Sequence, residues 1–226
     1  ALEVLKQVSR DMQAELIVCP MEYVEIEDIN EFGGLFNFKY NGETFNHLKI
    51  GLLGEYQIYN AVLALTTLLT LRERGLVNIT DEQLRNGLQK TKWKGRLEVL
   101  RRNPTFLIDG AHNLQGIKTL KESLKMFKYN KLILGIGILK DKDVEHMVET
   151  LAPLADEIVI TEVNMPRKKE AESLEKIVKK YNDKTYVEKD IKKAIDKAYE
   201  LASEEDLIVF GGSLYLIGDV RKIILN

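Results

Sequence analysis

Residue types that crosslink a chain or break its helices are scarce in this sequence. The 226 residues include one cysteine, Cys19, and four prolines. Because a lone thiol cannot form a disulfide within the chain, Cys19 is predicted to be a buried, inert residue in a reducing compartment. No apolar stretch reaches the roughly 18 residues that span a bilayer, and no secretory signal opens the chain. These absences predict a cytoplasmic protein with no membrane partner.

An excess of charge of one sign is also missing. The chain has 33 lysines and arginines against 35 acidic residues, a formal net charge of −2. Such a balance creates no field that favours nucleic acid, and the basic runs at 167–169 and 189–193 have acids nearby. We therefore expect no nucleic-acid partner. His47 and His146 have no histidine or cysteine at metal-ligand spacing, so no metal site is predicted in this chain.

The two common glycine-rich nucleotide loops are absent as well. The P-loop pattern G-x-x-x-x-G-K-[ST] occurs nowhere, and Gly135-Ile136-Gly137 lacks the third glycine of a dinucleotide fingerprint. The chain itself therefore carries no recognised loop for a triphosphate or for NAD.

Two regions differ in pattern, and the domain boundary is predicted between residues 94 and 95. Residues 1–94 are mixed. The patterns predict a helix over 2–12, a buried strand over 15–19, strands over 23–28, 35–40 and 43–50, and helices over 56–74 and 80–90. Asn41-Gly42 is a strong hairpin turn signal, and residues 80–83 form a capping box. The helix over 56–74 is apolar on nearly every side, which predicts that it is buried.

Residues 95–226 alternate regularly between strands and helices. The predicted strands cover 97–100, 106–108, 131–138, 157–162, 185–187 and 207–210. The predicted helices cover 114–127, 144–154, 169–181, 191–203 and 215–224. Strands separated by helices of this length form right-handed crossovers, so the fold class is α/β with a doubly wound, mostly parallel sheet.

The most informative residues follow the strand at 106–108. Residues 109–113 read Asp-Gly-Ala-His-Asn. Open α/β sheets bind ligands where parallel strands end, and the start of the next helix offers free N–H groups to an anion. Asp109 and His112 are therefore candidate functional residues for a charged substrate. The alternative is a plain capped turn with an incidental histidine.

A basic hinge lies just before this strand. Residues 91–96 read Thr-Lys-Trp-Lys-Gly-Arg. Gly95 would permit a bend, and the permanently charged guanidinium of Arg96 suits a polyphosphate. An exposed arginine at a linker is the alternative for Arg96. Trp93, the only tryptophan, is predicted to pack at the interface between the domains.

Two further places carry candidate binding residues. Gln57 and Asn60 lie three residues apart on one helix face, and their amides need partners such as an adenine edge or the preceding loop. Gly211-Gly212-Ser213 joins the last strand to the last helix, a second place where an anion can meet a helix start. Ser213 is not predicted to be a nucleophile, because the G-x-S-x-G pattern is missing.

Six stretches, taken in order, resemble the folylpolyglutamate synthase/dihydrofolate synthase family of the Mur ligase superfamily. They are LGEYQIYNA at 53–61, WKGRLE at 93–98, DGAHN at 109–113, KDKD at 140–143, MPR at 165–167 and GGSLYLIG at 211–218. Such enzymes have a folate-binding loop region, a central P-loop ATPase domain and a C-terminal Rossmann-like domain. The resemblance implies that residues 1–94 are the C-terminal part of the central domain and that residues 95–226 are the Rossmann-like domain.

The resemblance also implies a reaction and roles for the candidate residues. The reaction is the ATP- and Mg²⁺-dependent addition of L-glutamate to the carboxylate of folate or dihydropteroate, through an acyl phosphate. In this scheme Asn60 holds the adenine, Arg96 binds the phosphates, and Asp109 contacts the ribose or Arg96. His112 faces the acyl phosphate and the incoming glutamate, and Ser213 binds the glutamate carboxylate.

The family's P-loop and magnesium ligands would lie upstream of this chain. We therefore expect the chain to be inactive without an N-terminal part, to bind only small molecules and to be a monomer. Two other functions stay open: a Mur-type ligase that adds an amino acid to a peptidoglycan precursor, and a non-catalytic α/β module that binds a small anion. Dihydrofolate synthase activity and polyglutamate extension are not separated by this sequence.

Overall fold

The computed structural model describes residues 2–226 of the chain. The helices are α1 (Leu2–Asp11), α2 (Glu55–Glu73), α3 (Asp81–Lys90), α4 (Leu114–Leu124), α5 (Val144–Leu151), α6 (Ala171–Val178), α7 (Ile191–Leu201) and α8 (Leu214–Leu225). The strands are β1 (Val24–Asn30), β2 (Gly33–Tyr40), β3 (Glu43–Ile50), β4 (Glu98–Arg101), β5 (Thr105–Ile108), β6 (Leu132–Ile136), β7 (Glu157–Ile160), β8 (Thr185–Val187) and β9 (Leu207–Gly211). None of these helices is long and apolar enough to cross a bilayer.

The first part of the chain is an antiparallel sheet, in the order β1-β2-β3, with α2 packed against it. The predicted hairpin turn is confirmed: Asn41 and Gly42 both have positive φ, 46° and 84°, as the two central residues of such a turn require. Apolar side chains of β2 and α2, among them Phe36, Phe38 and Ile58, form one buried cluster. This cluster fixes the position of α2.

Two predictions for this part are wrong. Residues 15–19 do not form a buried strand: Leu16, Ile17 and Val18 are 37%, 42% and 53% exposed and lie outside any strand. The helix α2 is buried on one side only, since Leu63 on its other side is 53% exposed. Cys19, predicted to be buried, is only half-buried, and its Sγ lies 3.2 Å from the Thr66 hydroxyl.

The second part is a six-stranded sheet in the order β4-β5-β9-β6-β7-β8. The strands β5, β9, β6, β7 and β8 run parallel, and only the edge strand β4 is antiparallel. Side chains of α4, α5 and α6 belong to one buried cluster, and those of α7 and α8 belong to another. The helices therefore cover both faces, and the prediction of a doubly wound, mostly parallel sheet is confirmed.

The chain order across this sheet creates a place for a ligand. After β5 the chain passes through α4 to β6, which lies on one side of β9. After β9 the chain enters α8, which contacts β4 on the opposite side of β9. Ligands bind beyond the carboxyl ends of strands where the connections diverge in this way. The residues that follow β5 and β9 are those singled out from the sequence.

Candidate functional site

The loop at residues 95–97 is fixed to the end of β5 by its backbone. Gly95 has φ of 74°, and Leu97 has φ of 44°. The Gly95 N–H donates to the Glu98 carboxylate at 2.7 Å, and the Gly110 N–H donates to the Gly95 carbonyl at 2.8 Å. Gly95 is therefore hydrogen-bonded both to Glu98 of β4 and to Gly110, just after β5, as well as being conformationally permissive.

Asp109 provides a second hydrogen-bonded attachment for the loop at residues 95–97. The residue is 4% exposed, and its carboxylate accepts the Leu97 N–H at 2.9 Å and the Ala111 N–H at 2.8 Å. Burial raises the pKa of Asp109 above its ordinary value, although these two hydrogen bonds and the positive charge of Arg96 act against the rise. Asp109 therefore couples the hinge loop to the end of the strand.

Arg96 lies in the chain between Gly95 and Leu97, whose backbone N–H groups are both hydrogen-bonded. Its guanidinium carbon is 5.8 Å from the centroid of the Trp93 ring, within cation–π range. Within residues 2–226 no carboxylate forms an ion pair with Arg96, although its charge reaches Asp109. Trp93 is 57% exposed, so its predicted packing between the domains is not found in the described chain.

A small cavity opens where Arg96 meets the helices. Its volume is about 170 Å³, and its lining consists of Tyr56, Arg96, Leu97, Asp109, Gln115, Gly116, Thr119, Leu120 and Ser123. It adjoins a larger cleft of about 610 Å³ between α2 and α4. Burial, followed by the nearby Asp109 charge, raises the pKa of Tyr56. The cleft thus runs between the start of α2 and the helix α4, and the small cavity at its end is lined by the Arg96 guanidinium and the buried Asp109 carboxylate.

His112 and Asn113 complete the turn after β5. Nδ1 of the half-buried His112 lies 2.8 Å from the Gly110 carbonyl oxygen. Because a carbonyl can only accept, Nδ1 carries the proton, and Nε2 of the neutral ring is left as an acceptor. Asn113 is the N-cap of α4, and its side chain accepts the Gly116 N–H at 2.8 Å. The capped turn that was the alternative interpretation is present, and the functional role of His112 stays a prediction.

Asn60 and Ser213 do not line the cavity beside Arg96. The exposed Asn60 donates through Nδ2 to Oε1 of the buried Gln57 at 3.0 Å. Ser213, which is 2% exposed, is the N-cap of α8, and its hydroxyl accepts the Tyr215 N–H at 3.2 Å. The structure thus brings Arg96 and Asp109 together and leaves Asn60 and Ser213 with local partners.

Sequence reasoning did not single out two residues of the site. Tyr56 lies within the stretch at 53–61, but nothing in the local sequence distinguishes it from a core aromatic residue. Glu98 ends the stretch at 93–98, and its partner Arg221 is 123 positions away. No spacing rule of helices or strands connects residues so far apart, so only the fold shows this pair.

A larger cavity lies away from these residues. It has a volume of about 770 Å³, and its lining includes Glu162, Lys168, Lys189, Asp219 and Lys222. Lys168 and Lys189 already form ion pairs with nearby glutamates. Lys192 and Lys222, which also line it, form no such pair within residues 2–226. The cavity beside Arg96 is nevertheless our candidate for an anionic ligand, because it lies at the carboxyl end of β5, where parallel sheets bind ligands.

Comparison with known proteins assigns the fold to a family. Residues 95–214 match the family described as the Mur ligase, glutamate ligase domain. The chain belongs to this family. The match covers the strand end, the hinge arginine and the start of α8, so the resemblance inferred from the six stretches is confirmed.

Individual relatives refine the comparison. The chain is 31% identical over 193 residues to the dihydrofolate synthase/folylpolyglutamate synthase of Bacillus subtilis, which covers 84% of this chain and 44% of that protein. It is 30% identical over 183 residues to the UDP-N-acetylmuramoyl-L-alanyl-D-glutamate–2,6-diaminopimelate ligase of Clostridium perfringens, covering 77% of this chain and 37% of that protein.

A solved structure shows the same architecture. Folylpolyglutamate synthase of Mycobacterium tuberculosis, complexed with ADP and AMPPCP, superposes with a TM-score of 0.86 at 26% identity, covering 100% of this chain and 53% of that one. The chain thus spans about half the length of the relatives that it matches.

Proposed function

We propose that this chain is the C-terminal part of an ATP-dependent ligase. The ligase joins L-glutamate to the carboxylate of a folate or of dihydropteroate through an acyl phosphate. The observation that carries the proposal is the guanidinium of Arg96, without an ion-pair partner in residues 2–226, beside the buried Asp109 carboxylate in a chain of the Mur ligase family. The folate branch is favoured by the similarity to the Bacillus subtilis enzyme.

Arg96 would bind the phosphates of ATP. In the first step an oxygen of the pterin substrate's carboxylate attacks the γ-phosphorus, and ADP leaves. Negative charge develops on the transferring oxygens, and a preorganised cation stabilises that charge by about 3–4 kcal/mol. Asp109 would hold the Leu97 N–H and so keep the neighbouring Arg96 at the cavity.

His112 would act in the second step. The amino group of glutamate attacks the acyl carbon, phosphate leaves, and the amine loses a proton. Nε2 of His112 is available to accept that proton because Nδ1 donates to the Gly110 carbonyl. Asn60, with its exposed amide, is our candidate for the adenine, and Ser213, at the first turn of α8, is our candidate for the glutamate carboxylate.

The residues described here do not fit a Mg²⁺ site. In the lining of the cavity beside Arg96 the single carboxylate, Asp109, uses both oxygens on backbone N–H groups. Among residues 2–226 only Glu162, Glu170 and Glu172 offer three ligand atoms close together, and lysines pair with them. The ligands for Mg²⁺, which prefers several oxygens in octahedral geometry, are therefore expected outside this chain, and we derive no step through the metal.

We expect the assembled ligase to be a cytoplasmic monomer whose partners are ATP, L-glutamate and the pterin substrate. A reducing compartment is supported by the single cysteine. The second candidate function is a Mur-type ligase that adds an amino acid to a peptidoglycan precursor. It is supported by the 30% identity to the Clostridium perfringens diaminopimelate ligase.

A substrate panel separates these functions. The chain is tested within the longer ligase that the proposal requires, and ADP release is measured with each acceptor and amino acid in turn. Release that needs folate or dihydropteroate together with L-glutamate supports the proposal. Release that needs a peptidoglycan precursor supports the second candidate. Failure to bind ATP analogues or glutamate would favour a non-catalytic anion-binding module.

A further inference from the structure

The Glu98 carboxylate links the loop at residues 95–97 to Arg221 of α8. Glu98 is the first residue of β4, and its carboxylate accepts from the Gly95 N–H at 2.7 Å. Nε of Arg221, on α8, lies 3.0 Å from each of the two carboxylate oxygens. The two side chains are only 21% and 29% exposed, so solvent screens this pair less than a surface ion pair.

The helix α8 touches the same loop at a second point. Ile217 lies one helical turn before Arg221, on the same face of α8. A Cβ atom on Gly95 would lie 2.8 Å from Cδ1 of Ile217. The loop is thus held against α8 by close packing at Gly95 and by a charged bridge through Glu98.

Gly95 and Leu97, the chain neighbours of Arg96, are both hydrogen-bonded to residues of the predicted C-terminal domain. Gly95 is bonded through its N–H to Glu98 and through its carbonyl to Gly110, and the Leu97 N–H is bonded to Asp109. The residues before Gly95 at 92–94 are exposed and lie outside any helix or strand. A bend between the domains would therefore fall at 92–94, before Gly95, and Arg96 would move with Asp109.

We infer that Glu98 and Arg221 are positioning residues that hold Arg96 in its binding conformation before nucleotide arrives. This inference rests on the proposed role of Arg96 with phosphate. A group held in place beforehand avoids the cost of ordering it on binding. Loss of the bridge should consequently weaken nucleotide binding without removing any atom that touches the nucleotide.

The first test uses this chain alone. Amide hydrogen exchange at Gly95 and acrylamide quenching of Trp93, the single tryptophan, report on the loop. Glu98→Ala should speed exchange at Gly95 by roughly tenfold or more, as expected for loss of a hydrogen bond to a charged acceptor. Arg221→Met, which leaves the Glu98 acceptor in place, should increase both the exchange rate and the quenching constant.

The control is Glu145→Gln, which breaks the ion pair between Glu145 and Lys180, 2.7 Å apart and away from the hinge. Exchange at Gly95 and quenching of Trp93 should be unchanged in this variant. If Arg221→Met matches Glu145→Gln in both measurements, the bridge does not position the loop and the inference is overturned.

The second test uses the longer ligase and separates KM from kcat. Arg221→Met should raise the KM for ATP severalfold with little change in kcat, the pattern of weakened binding that is equal in the ground and transition states. An unchanged KM for ATP would overturn the inference. If the unmodified ligase uses no ATP, the proposed function fails, while the exchange and quenching results still decide whether Glu98 and Arg221 hold the loop.

Discussion

The buried carboxylates Asp109 and Asp206 should respond to pH in opposite directions. Asp109 accepts two backbone N–H groups, from Leu97 and Ala111. Asp206 accepts the N–H and the hydroxyl of Ser203 and the N–H of Lys131. Burial raises the pKa of Asp109. Burial would raise the pKa of Asp206 too, but the hydrogen bonds and the Lys131 charge outweigh it and lower that pKa.

The sign of each effect on stability follows from proton binding. Between the ordinary aspartate pKa of 3.8 and the raised pKa of Asp109, the folded state binds more protons than the unfolded state. The stability that Asp109 contributes is therefore present below that window and is lost as pH rises through it. The stability that Asp206 contributes is present above pH 3.8 and is lost as pH falls through its lowered pKa.

The size of the stability loss in Asp109→Ala is estimated from the hydrogen bonds that the substitution would remove. Two buried backbone N–H groups would lose their acceptor, at about 1–3 kcal/mol each, and relief of the buried charge offsets part of this. We expect a net loss of about 2–4 kcal/mol near neutral pH, or a fall in Tm of about 5–15 °C for a chain of this length.

The assay is urea unfolding of the unmodified chain, Asp109→Ala and Asp206→Ala between about pH 3 and pH 7. The destabilisation caused by Asp109→Ala should be larger at the acidic end, and that caused by Asp206→Ala should be larger at the neutral end. Two variants with the same pH trend, or an Asp109→Ala chain as stable as the unmodified one, would refute the reasoning.

Three further predictions concern single residues. Asn113→Ala removes the N-cap of α4 and should cost about 1 kcal/mol of unfolding free energy, measured by urea titration. Gly95→Ala adds a Cβ 2.8 Å from Ile217 at a φ of 74°, and should destabilise the chain by more than 1 kcal/mol, roughly the cost of a left-handed conformation. The hydrogen bond that the His146 ring donates to the Asp143 carboxylate raises the pKa of His146, so Asp143→Asn should lower that pKa in an NMR titration.

Features determined by a few neighbouring residues were predictable from the sequence. The turn at Asn41-Gly42 and the capping box of Thr80 and Gln83 are both present, because their hydrogen bonds join residues close in the chain. The alternation of strands and helices after residue 95 also predicted the doubly wound sheet. Each element there is long enough to show its own period.

Features that depend on distant partners were not predictable. The apolar residues Leu16, Ile17 and Val18 have the composition of a buried strand, but a strand also requires a neighbouring strand, which composition does not reveal. The sequence predicts a functional role for Asp109, but the hydrogen bond from its carboxylate to the Leu97 N–H depends on the path of the loop, which local patterns do not show. The functional roles of all five candidate residues, Asn60, Arg96, Asp109, His112 and Ser213, remain predictions.

The central claim is that Arg96 neutralises transferring phosphate charge, and one kinetic comparison tests it directly. In the longer ligase, kcat/KM for ATP is measured for Arg96→Ala and for Lys94→Ala, a nearby exposed cation of the same hinge. We predict that Arg96→Ala lowers kcat/KM by about 10²–10³-fold, whereas Lys94→Ala changes it little. Equal effects of the two substitutions, or undiminished turnover in Arg96→Ala, would contradict the account.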